Sequence, residues 1–347
     1  YGEIDLSLGE IKRICIENNK LIKEEGYKFL NDLARVSKVN FKFEEKSELE
    51  NNPLENIILG IDLGTTNTVI SYARGKNVEV IPLRNGERIL PSVVSVNKKK
   101  KFDVGIIASN QKVLNPKDTF FSVKRFIGRR SYEMKSYVTD YPYKIDVNED
   151  KVKIYSPRLK RKLECEEIIA QILIKAKKDA EAYLKKDIKK CIITVPAYFD
   201  SNQRNATQKA ALIAGFKKVE KLFDEPTAAA FAYEIESKIK TKTSNTIVCD
   251  LGGGTFDISL VNKIGVNANS VSVTATKGDR YLGGDDYTNL LVKKIKELIK
   301  IENNQTEFNP SIDAVIRNEA LKAKHSLSLK EEVEIQIPFL ITKDKES

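Results

Sequence analysis

Two stretches of this chain carry the residue types that phosphate and metal chemistry needs. Ile57-Ile58-Leu59-Gly60-Ile61-Asp62-Leu63-Gly64-Thr65-Thr66-Asn67-Thr68 is an apolar run ending in a carboxylate, a glycine and two hydroxyls. Thr246-Ile247-Val248-Cys249-Asp250-Leu251-Gly252-Gly253-Gly254-Thr255-Phe256-Asp257 repeats the order of apolar run, Asp-Leu-Gly and Thr. Glycine lets backbone N–H groups approach phosphate oxygens with no Cβ in the way, and Thr hydroxyls add donors. One Asp from each copy suits a hydrated Mg²⁺, which prefers carboxylate and water oxygens. A single copy reads as a Gly-rich hairpin with an Asx turn. Two copies in the same order point to a cleft clamped from both sides around a nucleotide triphosphate.

The apolar run before each Asp predicts a buried strand, and two further strand-like runs follow each: residues 68–72 and 78–83, then 256–261 and 270–276. Such a duplication implies two similar lobes. Residues 84–134 read as an insertion of short strands and helices, with a strand at 90–96 begun by Pro91, a hairpin tip at Lys98 to Lys101 and a partner strand at 101–107. Lys124 stands within the apolar segment 120–127, where a lysine must reach an anion or lie at the surface. A helix is predicted over 166–184, then a buried strand over 191–199 stopped by Pro196. Asp200 or Ser201 caps the next helix, which runs to Gly215 as its C′ residue. A short strand at 219–223 leads into a helix with Pro226 in its first turn. Glu225 thus sits where a strand ends and a helix begins, the place where open α/β sheets bind ligands. Beyond the second turn come a Gly-rich loop at 277–286, helices at 287–302 and 312–329, and an alternating strand at 333–340.

The chain has 347 residues, 41% hydrophobic and 31% charged, which is the composition of a soluble protein with two or more domains. No apolar run approaches membrane-spanning length. The net charge of +10 is Lys interspersed with Glu and Asp, a solvated surface rather than a nucleic-acid or membrane partner site. His325 is the only histidine, which excludes His-based triads and His-rich metal sites. The four cysteines, at 15, 165, 191 and 249, have no metal-ligand spacing, and Cys191 and Cys249 are expected in the core. That usage fits a reducing compartment: cytoplasm, plastid stroma or mitochondrial matrix. The chain begins at Tyr1, which suggests a piece of something longer. Residues 1–56 read as a helical extension, amphipathic over 8–36 and interrupted near Gly26, with a polar linker at 44–56.

Beyond these turns, the chain carries Val123-Lys124-Arg125 with Ile127-Gly128-Arg129-Arg130, Val195-Pro196-Ala197-Tyr198-Phe199 with Gln203-Arg204, and Glu225-Pro226-Thr227-Ala228-Ala229-Ala230. Together with the two turns, in collinear order from about residue 57, these segments resemble the nucleotide-binding domain of the 70 kDa heat-shock chaperones. Tyr141-Pro142-Tyr143-Lys144, Leu282-Gly283-Gly284-Asp285-Asp286 and Ile337-Pro338-Phe339-Leu340-Ile341 lean toward the bacterial and plastid DnaK type. The resemblance implies an α/β, actin-like two-lobed ATPase fold: a first lobe over 57–240 with its insertion at about 84–165, and a partial second lobe over 241–347. It implies that Asp62 and Asp250 orient the water shell of Mg²⁺, and that Gly64, Thr65, Thr66 and Asn67, with Gly252, Gly253, Gly254 and Thr255, hold ATP or ADP phosphates. Lys124 matches the family's charge-stabilising lysine, and Glu225, Thr255 and Asp257 match groups that place the attacking water. Pro196 and Arg204 match an interdomain relay, while Gly283, Gly284, Lys324, His325 and Ser328 fall on the adenosine wall. K⁺, a J-domain cochaperone, a nucleotide-exchange factor and unfolded clients held by a separate peptide-binding domain are further expectations of the resemblance.

Two departures stand out. Leu321 occupies a place where the family pattern has Glu, and His325 one where Arg is frequent. The family pattern also continues past the last residue of this chain, with a Gly-Gly loop closing the adenosine pocket, the rest of the second lobe and the peptide-binding domain. Two readings follow: the ATP-hydrolysing part of a protein-folding, stress-response chaperone, or a catalytically weak remnant that binds cochaperones. A sugar or acid kinase on the same fold would share the Asp-Gly-Thr turns but not the Val-Pro-Ala-Tyr-Phe and Glu-Pro-Thr-Ala-Ala-Ala segments.

Overall fold

The computed structural model describes residues 2–7, 57–74, 77–135, 138, 141–237, 243–264, 271–303, 308 and 310–337. The helices expected over 8–36 and the linker at 44–56 lie outside them. Among the described residues no helix is long and apolar enough to cross a membrane.

The first lobe is built on a sheet whose strands are β2 (Ile58–Leu63), β3 (Asn67–Arg74), β4 (Asn77–Val80), β5 (Leu90–Pro91), β12 (Lys190–Val195) and β13 (Lys218–Asp224). The order is β13-β12-β2-β3-β4, with β5 added on β3. β2, β3 and β4 form an antiparallel meander, while β12 and β13 run parallel to β2. The parallel register sets Ile193 beside Ile61 and Val195 beside Asp224. Asp62, Thr194 and Glu225 are therefore delivered to one edge of the sheet, at the carboxyl ends of three parallel strands. Two helices pack on this sheet. α1 (Cys165–Leu184) opens with a capping box between Glu164 and Glu167. α2 (Ser201–Ile213) opens with one between Asp200 and Gln203, and Gly215 ends it at φ 84° while Phe216 N–H donates back to Ala211 O at 3.2 Å. Ile168, Ile169, Ile172, Leu173, Ala206 and Ala210 close the core over Leu59, Ile61, Ile193 and Val195, all of them buried.

The insertion has two small sheets. β6 (Val93–Val96) lies between β7 (Phe102–Val104) and β8 (Thr119–Phe121), and the four-lysine tip turns with Lys100 at φ 59°. β9 (Ile145–Asp146), β10 (Lys153–Ser156) and β11 (Arg161–Glu164) form the other. Phe120, Phe121 and Tyr143 interlock edge to face at 5.5 Å, and this rigid aromatic packing sits under the turn that carries Lys124.

The second copy repeats the meander with β14 (Thr243–Leu251), β15 (Phe256–Ile264) and β16 (Val271–Asp279). α3 (Glu225–Ser237) lays Ala229 and Ala230 against Val248 and Val261 on one face of it. The opposite face carries Ile247, Cys249 and Ile258, all exposed, so the expectation that Cys249 is a core thiol is wrong. Strand periodicity sends Val248 and Cys249 to opposite faces, and only the first face is covered. Cys191 and Cys165 are buried thiols. α4 (Gly284–Asn303) begins three residues before its predicted start, and with α5 (Pro310–Ser326) and β17 (Glu332–Ile337) it forms a separate core around Leu291, Ile295, Ile316 and Ile335. β1 (Gly2–Ser7), which the sequence reading did not foresee, pairs antiparallel with β17 from Gly2↔Ile337 to Ser7↔Glu332.

Candidate nucleotide cleft

The two glycine turns meet face to face. Gly64 packs so tightly into its own turn that a Cβ there would lie 2.3 Å from Asn67 O. Ser92 secures that turn, donating from Oγ to Gly64 O at 2.9 Å and from its N–H to Thr66 O at 2.8 Å. On the other side Gly252 N–H donates to Thr255 O at 2.9 Å. A Cβ on Gly253 would fall 1.9 Å from Thr66 Oγ1, and one on Gly254 would fall 2.8 Å from Thr65 Cγ2. Any larger residue would push the turns apart, which is the close approach that glycine alone permits. Gly283 backs onto Gly253 and Gly254, where a Cβ would meet Gly254 N at 2.6 Å. Gly284 N–H and Asp285 N–H donate to Gly252 O and Gly253 O at 2.9 and 2.8 Å. Lys324 Nζ then donates to Gly284 O at 2.6 Å and Thr288 Oγ1 at 2.9 Å, tying α5 to the start of α4.

Beside the paired turns opens a cavity of about 820 Å³. Thr65, Thr66, Asn67, Gly252, Gly253, Gly284, Lys324, His325 and Ser328 all line it, together with Leu321, Tyr141, Lys112 and Arg317. Its size and mixed lining suit a nucleotide-sized ligand. His325 is held below its ordinary pKa by burial and by the neighbouring Lys324 charge, which keeps the imidazole neutral on that wall.

Asp62, Glu225, Asp250 and Asp257 gather around Lys124 rather than on the cavity wall. Lys124 sits in a single 3-10 turn that follows Ser122, itself at φ 56°. It is 7% exposed, and its Nζ donates to Glu225 Oε1 at 2.5 Å. Burial pushes the Glu225 carboxyl up to about 7. The Lys124 charge pulls the other way, but Asp62 and Asp250 add to the rise. Asp250 is raised by burial and by Asp62, against the pull of Lys124. Burial pushes Asp257 up to about 7 as well, against the Thr255 hydroxyl, and its Oδ1 is buried with no hydrogen-bond partner. Asp62 accepts from Thr194 Oγ1 at 2.7 Å. Four carboxyl groups around one ammonium crowd negative charge at the paired turns, and a divalent cation would offset it. Among the described residues no three such side chains converge closely enough to ligate a metal directly. Carboxylate charge at Asp62 and Asp250 would suit a hydrated divalent cation.

Pro196 and Arg204 bracket the turn after β12. Pro196 O accepts from Phe199 N–H at 3.0 Å, and Arg204 donates to Phe199 O at 2.9 Å and to Asp224 Oδ1 at 2.6 Å, one residue before Glu225. Sequence reading missed Thr194, which strand alternation places opposite Asp62. It also missed the partners of Arg125 and Ser122, Asp286 and Asp285, which nothing in the sequence pairs.

The Hsp70 protein family matches residues 58–347. A chaperone protein dnaK of Phaeodactylum tricornutum is 42% identical over 291 residues, covering 83% of this chain and 46% of the relative. One of Cyanophora paradoxa is 42% identical over 284 residues, covering 82% and 45%. The chaperone protein dnaK1 of Prochlorococcus marinus is 40% identical over 290 residues, covering 83% and 42%. The chain thus spans about half the length of the curated relatives it matches. The duplicated meanders and the opposed glycine turns are those of an actin-like nucleotide-binding domain, and the chain belongs to the Hsp70 family.

Proposed function

We propose that this chain binds MgATP between the turns at 62–67 and 250–255 and hydrolyses it to ADP and phosphate, as the nucleotide-driven part of a protein-folding chaperone. The observation that carries the reading is the buried Lys124, held at 2.5 Å from Glu225 at the meeting point of two glycine turns that leave room for nothing larger than hydrogen. Backbone N–H groups and the hydroxyls of Thr65, Thr66 and Thr255 receive the phosphates, and Lys124 exchanges its Glu225 contact for the γ-phosphate oxygens as charge builds there. Asp62 and Asp250 would hold Mg²⁺, which would supply neutralisation of the phosphate charge. Glu225 and Asp257, both near neutrality in pKa, orient the water whose oxygen attacks phosphorus in line while the bond to the β-phosphate oxygen breaks. The proton released by that water passes to phosphate or solvent.

Lys324, Ser328 and the neutral His325 would face the nucleoside, and Leu321 gives that wall an apolar stretch. Arg204, clasping Asp224 beside Glu225, would pass the state of the γ-phosphate through the Pro196 turn toward a peptide-binding domain, where a J-domain protein, an exchange factor and unfolded clients engage. The buried free thiols of Cys165 and Cys191 support a reducing compartment such as cytoplasm or plastid stroma.

The test is MgATP binding and single-turnover hydrolysis by the purified chain, with Lys124→Ala alongside. Hydrolysis that falls by about a hundredfold or more in the variant, with nucleotide still bound, is expected. A folded wild-type chain that binds no MgATP would overturn the proposal, and binding without hydrolysis would favour a partner-binding role.

A further inference from the structure

The turn that carries Lys124 is fastened to the second lobe by the residues on either side of it. Arg125 makes a two-pronged ion pair with Asp286, its Nη1 donating to Oδ1 at 3.0 Å and its Nη2 to Oδ2, and the guanidinium is 7% exposed. Ser122 donates to Asp285. Asp286 Oδ2 also accepts from Gly283 N–H at 2.7 Å, while Asp285 N–H donates to Gly253 O at 2.8 Å. One carboxylate therefore joins the first-lobe turn beside Lys124 to the loop against which the second phosphate turn rests. Gly254 is pressed to the same guanidinium, where a Cβ would lie 2.8 Å from Arg125 Nε.

We infer that Arg125 and Asp286 form a latch between the lobes that must open for nucleotide to enter or leave, so that Asp286 sets the exchange rate without taking part in bond breaking. The inference rests on the nucleotide reading above. A buried, bidentate, charge-assisted pair is among the stronger contacts one side chain can make, and it bridges elements 161 residues apart in the chain. The cavity wall runs from Thr65 and Thr66 in one lobe to Gly253 and Asp285 in the other, so lobe separation widens the cavity and requires this pair to break. Asp286 itself does not line the cavity, which separates its effect from direct ligand contact.

The experiment follows release of fluorescently tagged MgADP from the full chain by stopped flow, for wild type, Asp286→Ala and Asp286→Glu. Release is expected to accelerate by roughly ten- to a hundredfold in Asp286→Ala, with partial recovery in Asp286→Glu. Single-turnover hydrolysis of bound ATP is expected to change by less than about threefold. Equal release rates in all three proteins, or a loss of hydrolysis as large as the gain in release, would overturn the latch. Backbone hydrogen exchange at residues 122–126 and 252–254 in the nucleotide-free chain is the second readout. Faster exchange there in Asp286→Ala supports the latch and unchanged exchange sinks it, even if the wild type binds no nucleotide and the hydrolase reading fails by itself.

Discussion

Aligned on their carboxylates, the two copies of the strand-and-turn unit differ most where their sequences agree. Three residues before Asp62 stands Leu59, fully buried; three before Asp250 stands Ile247, 68% exposed. One residue before, Ile61 is 2% exposed while Cys249 lies open to solvent. The local chemistry is the same and the surroundings are not. β2 has β3 on one side, β12 on the other and the core closed by α1 and α2. β14, among the described residues, has a strand neighbour only in β15 and a helix only on the face of Val248. An apolar run before an Asp-Leu-Gly turn specifies a strand; whether its second face is buried is decided by elements more than a hundred residues away.

The largest contrast should appear in thiol labelling. With a neutral maleimide and peptide mapping, Cys249 is expected to react in the native protein, while Cys191, buried and pushed up to about 12 by that burial, reacts only after opening. A gap of at least ~10³ in rate is expected, since opening the first core draws on most of the global stability. Comparable protection of both thiols would mean that the second face is covered. Next in size is Leu59→Ala, which empties a fully buried site and is expected to lower unfolding stability by about 2–5 kcal/mol in denaturant melts. A loss under about 1 kcal/mol would show that the first core is not the packed member of the pair.

How far the sequence could be read follows from this contrast. Local signals worked: a cap at Asp200 or Ser201, the Gly215 stop and the hairpin at Lys98 to Lys101 are chemistry of a few neighbouring residues, and the fold shows all three, with Asp200 as the cap. The position of Glu225 at the junction of a strand and a helix was legible from Pro226 and the apolar run before it; that β13 runs parallel to β12 and β2, on the same sheet as Asp62, was not. The error at Cys249 and the missed Arg125–Asp286 pair share a cause, since each depends on what a distant element contributes, and pattern along the chain carries no such information. The strand at 2–7 is a third instance, because its partner, β17, lies at the other end of the chain.

A pH titration sharpens the comparison at the site itself. Asp257, on the second meander, has its carboxyl raised from an ordinary 3.8 to about 7 by burial. The folded chain then keeps a proton that the unfolded chain has released, so this group's contribution to stability declines as pH rises from about 4 to about 7 and is level above that. Asp257→Asn removes the ionisation. The variant should gain on wild type across that window, by at most about 1.4 kcal/mol per pH unit, and the difference should be flat above about pH 7.5. Mg²⁺ should shrink the gain by favouring the ionised carboxylates. A stability difference that does not vary with pH would show that Asp257 is ionised throughout, as a solvated carboxylate would be.

The smallest expected effect is the most discriminating for the uncovered face. Ile247→Thr keeps β-branching and strand propensity and replaces one exposed methyl-bearing arm with a hydroxyl. If the outer face of β14 is solvated in the chain as it stands, thermal and denaturant midpoints should stay within about 0.5 kcal/mol of wild type. Val248→Ala, one residue along on the covered face and 8% exposed, should cost about 1–2 kcal/mol by comparison. The sign of the difference is what matters. A covered outer face would make Ile247→Thr the worse of the two, because it would bury an unpaired hydroxyl as well as remove apolar contact. Adjacent residues on one strand thus report separately on its two faces, with strand propensity and distance from the phosphate turn held nearly constant.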